Sequence, residues 1–478
     1  VTHPLRRILL AAIVVIALAS LAACRQAPGP ASSCDLSSVV LDDLQGLALA
    51  DPTGAVATLS SHGRVDVGGD FFRSLGSNGR RCVSCHVPSQ GWTITPRYLR
   101  QVFDATAGGA CDDGRGLGAV FRPIDGAVSP TAAVATLEQR RAAYRLLLSR
   151  GTIRIDLPIP PDAEFELAAV DDPYGYAGPG HLSLFRRPPP TTNLKFLSAV
   201  MWDGRETAPG APIADDLAAQ ASTAVVTHAQ GSPLDEGTRR AIVAFEVSLA
   251  TAQVRDLAAG DLAAVGARGG PSAVLAQPFY LGINDVLGDK MTGAAFDPAV
   301  FGIYDAWLAA HGADDVAEAR RSVARGQEIF NHRAIAIRGV GGLNDEPTLG
   351  SPEELAGTCT TCHDAPGAGN HSVSMPLDIG IADATRRSPE VPLYTLRHRA
   401  TGETIQVTDP GRALIDGRWA HVGRFKGPVL RGLAARAPYF HDGSAESLDA
   451  VVDFYDGRFQ LELTPAEHRD LVAFLHAL

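Results

Sequence analysis

The pentapeptide Cys82-Val83-Ser84-Cys85-His86 returns once in the chain, as Cys359-Thr360-Thr361-Cys362-His363. Two cysteines three apart, followed at once by histidine, form the attachment pattern of c-type haem. Each thiol adds to one haem vinyl group, and the next residue presents imidazole to the iron from the same face. Zinc is the alternative, but adjacent Cys and His donors fit a tetrahedral site poorly. The two motifs use four of the seven cysteines. Two covalently bound haem c groups are therefore expected, on Cys82 and Cys85 and on Cys359 and Cys362. His86 and His363 are the expected proximal iron ligands.

The N-terminal segment points to export. Arg6 and Arg7 precede an apolar run from Ile8 to Ala23, which ends Leu21-Ala22-Ala23-Cys24. A charged start, an apolar stretch and small residues before a cleavage point make a signal peptide. Leu-Ala-Ala-Cys also resembles a bacterial lipobox. The expectation is a signal peptide over 1–23, a lipid on Cys24, a tether over 24–50, and a periplasmic protein anchored to a membrane, the outer one by preference. An ordinary signal peptide is the alternative. No later apolar run reaches about 18 residues, so no further span is expected. Export permits disulfides, and Cys34 and Cys111 are a candidate pair. The net charge of -11 carries no basic stripe, which argues against a nucleic-acid partner. Such acidity suits a small redox protein, a cytochrome c or a cupredoxin, with a basic patch.

Helical spacing is read over Thr136–Ser149, Asp215–Thr223, Glu236–Thr251 and Asp315–Phe330, the last capped by Asp314 or Asp315. A short strand is read over Thr152–Leu157. The Gly/Pro/Asp-rich stretch from Gly91 to Pro130 reads as loop, and a helix is expected to end near Met201–Arg205. Aromatic residues Phe279, Tyr280, Phe296, Phe301, Tyr304 and Trp307 mark a packed, irregular connector rather than a free linker. Four features recur in order: a Phe-bearing helix, CxxCH, a basic/Pro/Leu run to Asp-Gly, and a helix with Val-Ala-Phe. One unit used twice explains them. The expected fold class is mainly α, with two tandem cytochrome c-like domains (51–255 and 314–478), a connector over 256–313, and long irregular loops.

The distal side of each iron decides function, because a closed iron suits electron transfer and an open one suits peroxide chemistry. No His or Met lies between His86 and His181, so a short loop has no strong distal ligand to offer. An open first haem is expected, with His181, Met201 and His228 as rival ligands.

Trp202-Asp203-Gly204-Arg205, Gln220 ten residues before Gln230, and Ala437-Pro438-Tyr439-Phe440-His441-Asp442-Gly443 resemble the bacterial dihaem cytochrome c peroxidase superfamily, including its MauG branch. The resemblance covers roughly Asp51 to Leu478. It implies a reactive N-terminal haem, a C-terminal haem that delivers or stores electrons, and a tryptophan between them, matched by Trp202. It implies hydrogen peroxide as substrate and an external redox protein as donor. At the family's distal position for the second haem, which is Met in the peroxidases proper and Tyr in the MauG branch, stands Tyr455. Met375 and His371 are local rivals.

Two positions depart from the family pattern. The catalytic glutamate position falls on Gln230, which hydrogen-bonds but does not carry a proton. His228, two residues earlier, is the substitute base. The family also holds calcium between its domains, partly through an asparagine side chain fifteen residues before the Trp. Here that residue is Arg187, and a cation does not ligate a cation. Carbonyls near Arg436 and Pro438 match the remaining calcium positions, or Arg187 replaces the charge. Three functions stay open: a peroxidase using Gln230, His228 and Trp202, a non-enzymatic electron carrier, and a MauG-like oxidase of a protein partner.

Overall fold

A computed structural model describes residues 43–111 and 116–478. The signal segment, Cys24, Cys34 and most of the tether lie outside the described residues, and so does the test of a Cys34–Cys111 bridge. No helix among the described residues is long and apolar enough to cross a membrane.

Helix accounts for 32% and strand for 16%, so the mainly α expectation is met only in part. Among the described residues the strands form four small antiparallel sheets, and helix Asp315–His332 packs on the second CxxCH turn. In the largest sheet, strand Gly54–Ser60 pairs with Leu49–Asp51 on one side and Leu249–Asp256 on the other. That sheet corrects the helix read to Thr251. The helix is Glu236–Ser248, and the chain turns into strand at Leu249. Thr251 is held there on both main-chain groups by the Asn193 side chain, at 2.9 Å each. Tertiary pairing overrides the local helical pattern.

The Gly91–Pro130 stretch also needs correction, since it contains the helix Pro96–Ala105. Thr95 caps it, Pro96 opens it, and Leu99, Val102 and Phe103 are buried. A cap followed by proline was the available signal. The expected helix over Thr136–Ser149 is two helices, Leu137–Ala143 and Arg145–Arg150, broken at Tyr144. The helix expected before Met201–Arg205 is a single 3-10 turn, Leu194–Phe196. Met201 has φ of 67°, and Asp203 accepts from the Arg205 amide at 3.1 Å, so the chain there is a tight turn. Strand Ile153–Leu157 and helix Asp315–His332, capped by Asp314, agree closely with the reading.

The connector aromatics Phe301, Tyr304 and Trp307 are buried in one cluster with Phe330 and Phe474. Helices Asp315–His332 and Pro465–His476 cross closely there. A Cβ on Gly326 would stand 1.9 Å from the Asp470 carbonyl oxygen, so only glycine permits the approach. Two further features stitch early chain to late chain. Strand Phe165–Asp171 pairs with Leu393–His398, and buried Arg186 pairs with both Asp203 and Asp409.

Candidate active site

Both motifs fold alike. Each is one turn of 3-10 helix, Cys82–Ser84 and Cys359–Thr361. In each, the histidine amide donates to the first cysteine's carbonyl, at 3.0 Å for His86 and 3.2 Å for His363. His86 Nδ1 lies 3.2 Å from the Trp92 carbonyl, and His363 Nδ1 lies 2.6 Å from that of Gly369. Donation to a carbonyl places the proton on Nδ1 and leaves the Nε2 lone pair for a metal. Burial, opposed by those hydrogen bonds, pushes both imidazoles down to about 4, so they are neutral at pH 7. The aromatic packing behind them also repeats. Phe71 lies 6.3 Å from His86 and 5.2 Å from Phe245, and Phe330 lies 5.9 Å from His363 and 5.6 Å from Phe474.

Each motif forms a wall of its own cavity. Cys82, Cys85 and His86 line one of about 1550 Å³, and Cys359, Cys362 and His363 line another of about 1650 Å³, open mouths included. Burial pushes the thiols up, Cys85 to about 11 and the other three to about 12. Two thiols and a neutral imidazole, facing a large and mostly apolar space, are the donor set and enclosure that covalent haem needs. Both cavities fit it.

The first cavity carries an ion network. Arg80 stands two residues before Cys82 and is buried. It binds Asp125 through Nη1 at 2.6 Å and Nη2 at 2.5 Å. The same carboxylate accepts from His228 Nδ1 at 2.6 Å. Burial alone would raise Asp125, but the Arg80 charge and the hydrogen bonds from His228 and Arg80 outweigh it and hold the carboxyl down to about 2. Arg80, Asp125 and His228 all line the cavity. Local structure explains the position of His228. It ends the helix Ile213–His228, and its exposed carbonyl accepts from Asn78 Nδ2 at 2.8 Å and from Arg80 Nη1 at 3.1 Å. The haem motif and the helix end are thus tied together.

Gln230 is placed otherwise. It takes φ of 54° just past the helix, its carbonyl accepts from the Ser77 hydroxyl at 2.9 Å, and the residue is exposed. It is not among the residues lining the cavity, so the structure brings together His228 and the motif but not Gln230. Of the rival distal ligands, Met201 and His228 line the first cavity. His181 does not, and stacks on Tyr176 at 4.5 Å. A further carboxyl, Glu246, lines the same cavity at 4% exposure. Burial pushes it up to about 8, and its Oε2 has no hydrogen-bond partner.

Tyr455 lines the second cavity. Burial pushes its phenol up, and Phe459 stacks on it at 6.0 Å. Met375 packs against the same apolar cluster as Cys359 and Cys362 but lines a separate pocket with Arg412 and His421. His371 is buried beside Asp364 at 3.5 Å and is not on the second cavity's wall.

Trp202 lines both cavities, as do Arg187, Pro188, Pro190 and Lys426. Its Nε1 donates to the Arg187 carbonyl at 2.8 Å. Burial lowers Lys426 to about 8. Where the family resemblance implies a calcium-ligating asparagine, this chain has the buried Arg187 guanidinium, which donates to the Arg436 carbonyl at 2.9 Å; beside that positive charge a divalent cation does not fit.

Arg80, Asp125, Glu246 and Lys426 were not found by sequence reading. Asp125 and His228 are 103 residues apart, and no spacing rule joins them. A polar residue inside an apolar helix face was the one signal for Glu246.

No family model matches the chain. Cytochrome-c peroxidase IdrP2 of Denitromonas iodatirespirans is 35% identical over 136 residues, 26% of this chain and 36% of the relative. Cytochrome-c peroxidase IdrP1 of Pseudomonas sp. (strain SCT) is 32% identical over 140 residues, 25% of this chain and 36% of the relative. The methylamine utilization protein MauG of Methylorubrum extorquens is 43% identical over 65 residues, 11% of this chain and 18% of the relative. The chain thus spans about a third of the length of the two peroxidases it matches. A solved MauG-like protein associated with microbial copper homeostasis aligns over 86% of this chain and 87% of its own, with a TM-score of 0.35 and 16% identity.

Proposed function

We propose, from these similarities and the two CxxCH motifs, that the chain is a member of the bacterial dihaem cytochrome c peroxidase and MauG superfamily and a peroxidase-type oxidoreductase with its reaction site at the Cys82–His86 cavity. Membership and the two CxxCH motifs imply haem c. His86 and His363 are the proximal ligands in this reading, and Tyr455 is the second distal ligand. The tandem arrangement of 51–255 and 314–478, the Cys24 anchor and the periplasmic location belong to the same reading. Haem c, when bound, supplies redox-active iron, so that electrons from a small redox protein enter at one cavity and peroxide is reduced at the other.

Reduction of hydrogen peroxide to two waters takes up two electrons and two protons. A group beside the bound peroxide must take a proton from one oxygen and return it to the leaving one. His228 is placed for this. Its Nδ1–H donates to Asp125, which leaves Nε2 as the base. Arg80 keeps Asp125 ionised, and Asp125 in turn fixes the imidazole, so both are positioning residues. Trp202 offers an aromatic path where the two cavities share a wall.

The observation that carries the reading is the His228–Asp125 pair on the wall of the first cavity. A glutamine at the family's catalytic-glutamate position would favour a mere electron carrier, but Gln230 is exposed and off the wall of the first cavity. His228→Ala is expected to cut donor-dependent peroxide turnover by about 10²- to 10⁴-fold, with both haem spectra unchanged. Unaltered turnover would remove His228 as the base. Tyr455 favours a second reading, oxidation of a protein partner. Peroxide-driven oxidation of a protein without a small redox donor would support that one instead.

A further inference from the structure

Arg186 and Arg187 are neighbours in the chain, and both are buried. Arg186 is neutralised by Asp203 and Asp409. Arg187, only 5% exposed, pairs with no carboxylate among the described residues. Three main-chain carbonyls meet its guanidinium instead: Ile94 at 2.7 Å, Arg150 at 2.9 Å and Arg436 at 2.9 Å. They come from three separate segments, two early in the chain and one late. A buried charge is costly unless polar groups are aimed at it. Carbonyls converging from several segments on one buried positive centre are also what holds a bound calcium ion. The site is shaped for the guanidinium. Gly151 has φ of 65°, and a Cβ there would stand 2.7 Å from Arg187 Nη1. The main chain of Arg187 ties in two further groups. Its amide donates to the His441 carbonyl at 2.6 Å, and its carbonyl accepts from Trp202 Nε1 at 2.8 Å.

We propose that the Arg187 guanidinium is the permanent cation of this junction, taking over the charge and the carbonyl partners that an exchangeable divalent ion would use. Where the family pattern has a neutral asparagine ligand, this chain has the cation itself. The shared wall of the two cavities therefore keeps its positive charge without any ion supply. The proposal does not depend on which residue moves protons at the first cavity, and its tests do not use turnover.

The holoprotein as purified is expected to contain iron but no stoichiometric calcium by elemental analysis. Its melting midpoint and the potentials of both haems should be unchanged by EGTA and by added CaCl₂. Arg187→Gln should lower the melting midpoint by a few degrees and move at least one haem potential to more negative values, because a positive charge beside both cavities is lost. If that variant does not fold, Arg187→Lys serves: it keeps the charge but not the fan of three carbonyl bonds, so the melting midpoint should fall while both haem potentials stay at their wild-type values, and a shift of the potentials in this variant would overturn the proposal. The proposal is overturned by a wild-type holoprotein whose melting point or potentials fall with EGTA and recover with CaCl₂. It is equally overturned by an Arg187→Gln protein that matches wild type in both readouts.

Discussion

The first cavity carries Arg80, Asp125, His228 and Glu246 on its wall, whereas the second presents no carboxylate and no imidazole beyond His363. Yet the two share the same 3-10 turn at the motif, the same tautomer-fixing carbonyl and the same His–Phe–Phe packing. The motif geometry is therefore the same on both sides, while the carboxylates and the second imidazole line the first cavity alone. On the reading proposed above, the second cavity only passes electrons and has no use for a base. A cavity that breaks an O–O bond needs a proton donor and acceptor at the reacting atoms.

The strongest way to break this contrast is Asp125→Asn. An amide neither fixes the His228 tautomer nor neutralises Arg80. Peroxide turnover is expected to fall on the order of 10²-fold, and stability by about 3 kcal/mol, because Arg80 is left buried without its partner. The acid limb should change as well. A carboxyl held down to about 2 stabilises the fold above its unfolded value of about 3.9 and loses that contribution as pH falls through its folded value. Wild type should thus lose stability between roughly pH 4 and pH 2 more steeply than Asp125→Asn, as acid unfolding followed by circular dichroism would show.

Glu246→Gln tests the other carboxyl of the first cavity. Here the sign is opposite. The folded carboxyl is pushed up to about 8 and stays protonated where the unfolded one, near 4.3, has ionised. Wild-type stability should fall as pH rises between these two values, by up to about 1.4 kcal/mol per unit, and level off above the folded value. The Gln variant should lack that fall. Denaturant unfolding at pH 6 and pH 8 measures the difference, and parallel changes in both proteins would show that Glu246 is not the titrating group.

Trp202→Phe keeps an aromatic ring between the cavities but removes the hydrogen bond to Arg187, at a cost of about 1 kcal/mol. Reduction of the second haem by a donor should be unaffected, while transfer on to the first should slow in stopped-flow traces. Equal traces for the two proteins would leave Trp202 as packing alone.

Much of this was legible in the sequence, for reasons that can be named. CxxCH is a local pattern, and one turn of 3-10 helix brings its two thiols and its imidazole together without tertiary help. Helices with strong caps, such as Asp315–His332 behind Asp314, were equally readable. What escaped was set by long-range pairing. Thr251 left its helix because Asn193 and strand Gly54–Ser60 claim its main chain. Asp125 sits in a Gly/Pro-rich stretch that looked like plain loop, and the distant Arg80 side chain and Arg154 amide hold it beside His228. Arg187 was readable as a departure from the family pattern, but its three carbonyl partners come from elements far apart in the chain.

The smallest expected effect bears on the residue that a motif alignment would rank first. Gln230→Glu restores the residue type that the superfamily pattern puts at this position. If alignment alone set the chemistry, the change should raise turnover by returning a proton-carrying group. In the fold, Gln230 lies beyond the helix end with φ of 54°, its carbonyl is bound by Ser77, and the residue is exposed. A carboxylate there is solvated and does not face the first cavity. Gln230→Glu and Gln230→Ala should therefore both turn over peroxide at the wild-type rate, with unchanged pH profiles. A clear gain in Gln230→Glu would mean that the loop after His228 closes over the cavity when haem is bound, and it would move the base from His228 to position 230.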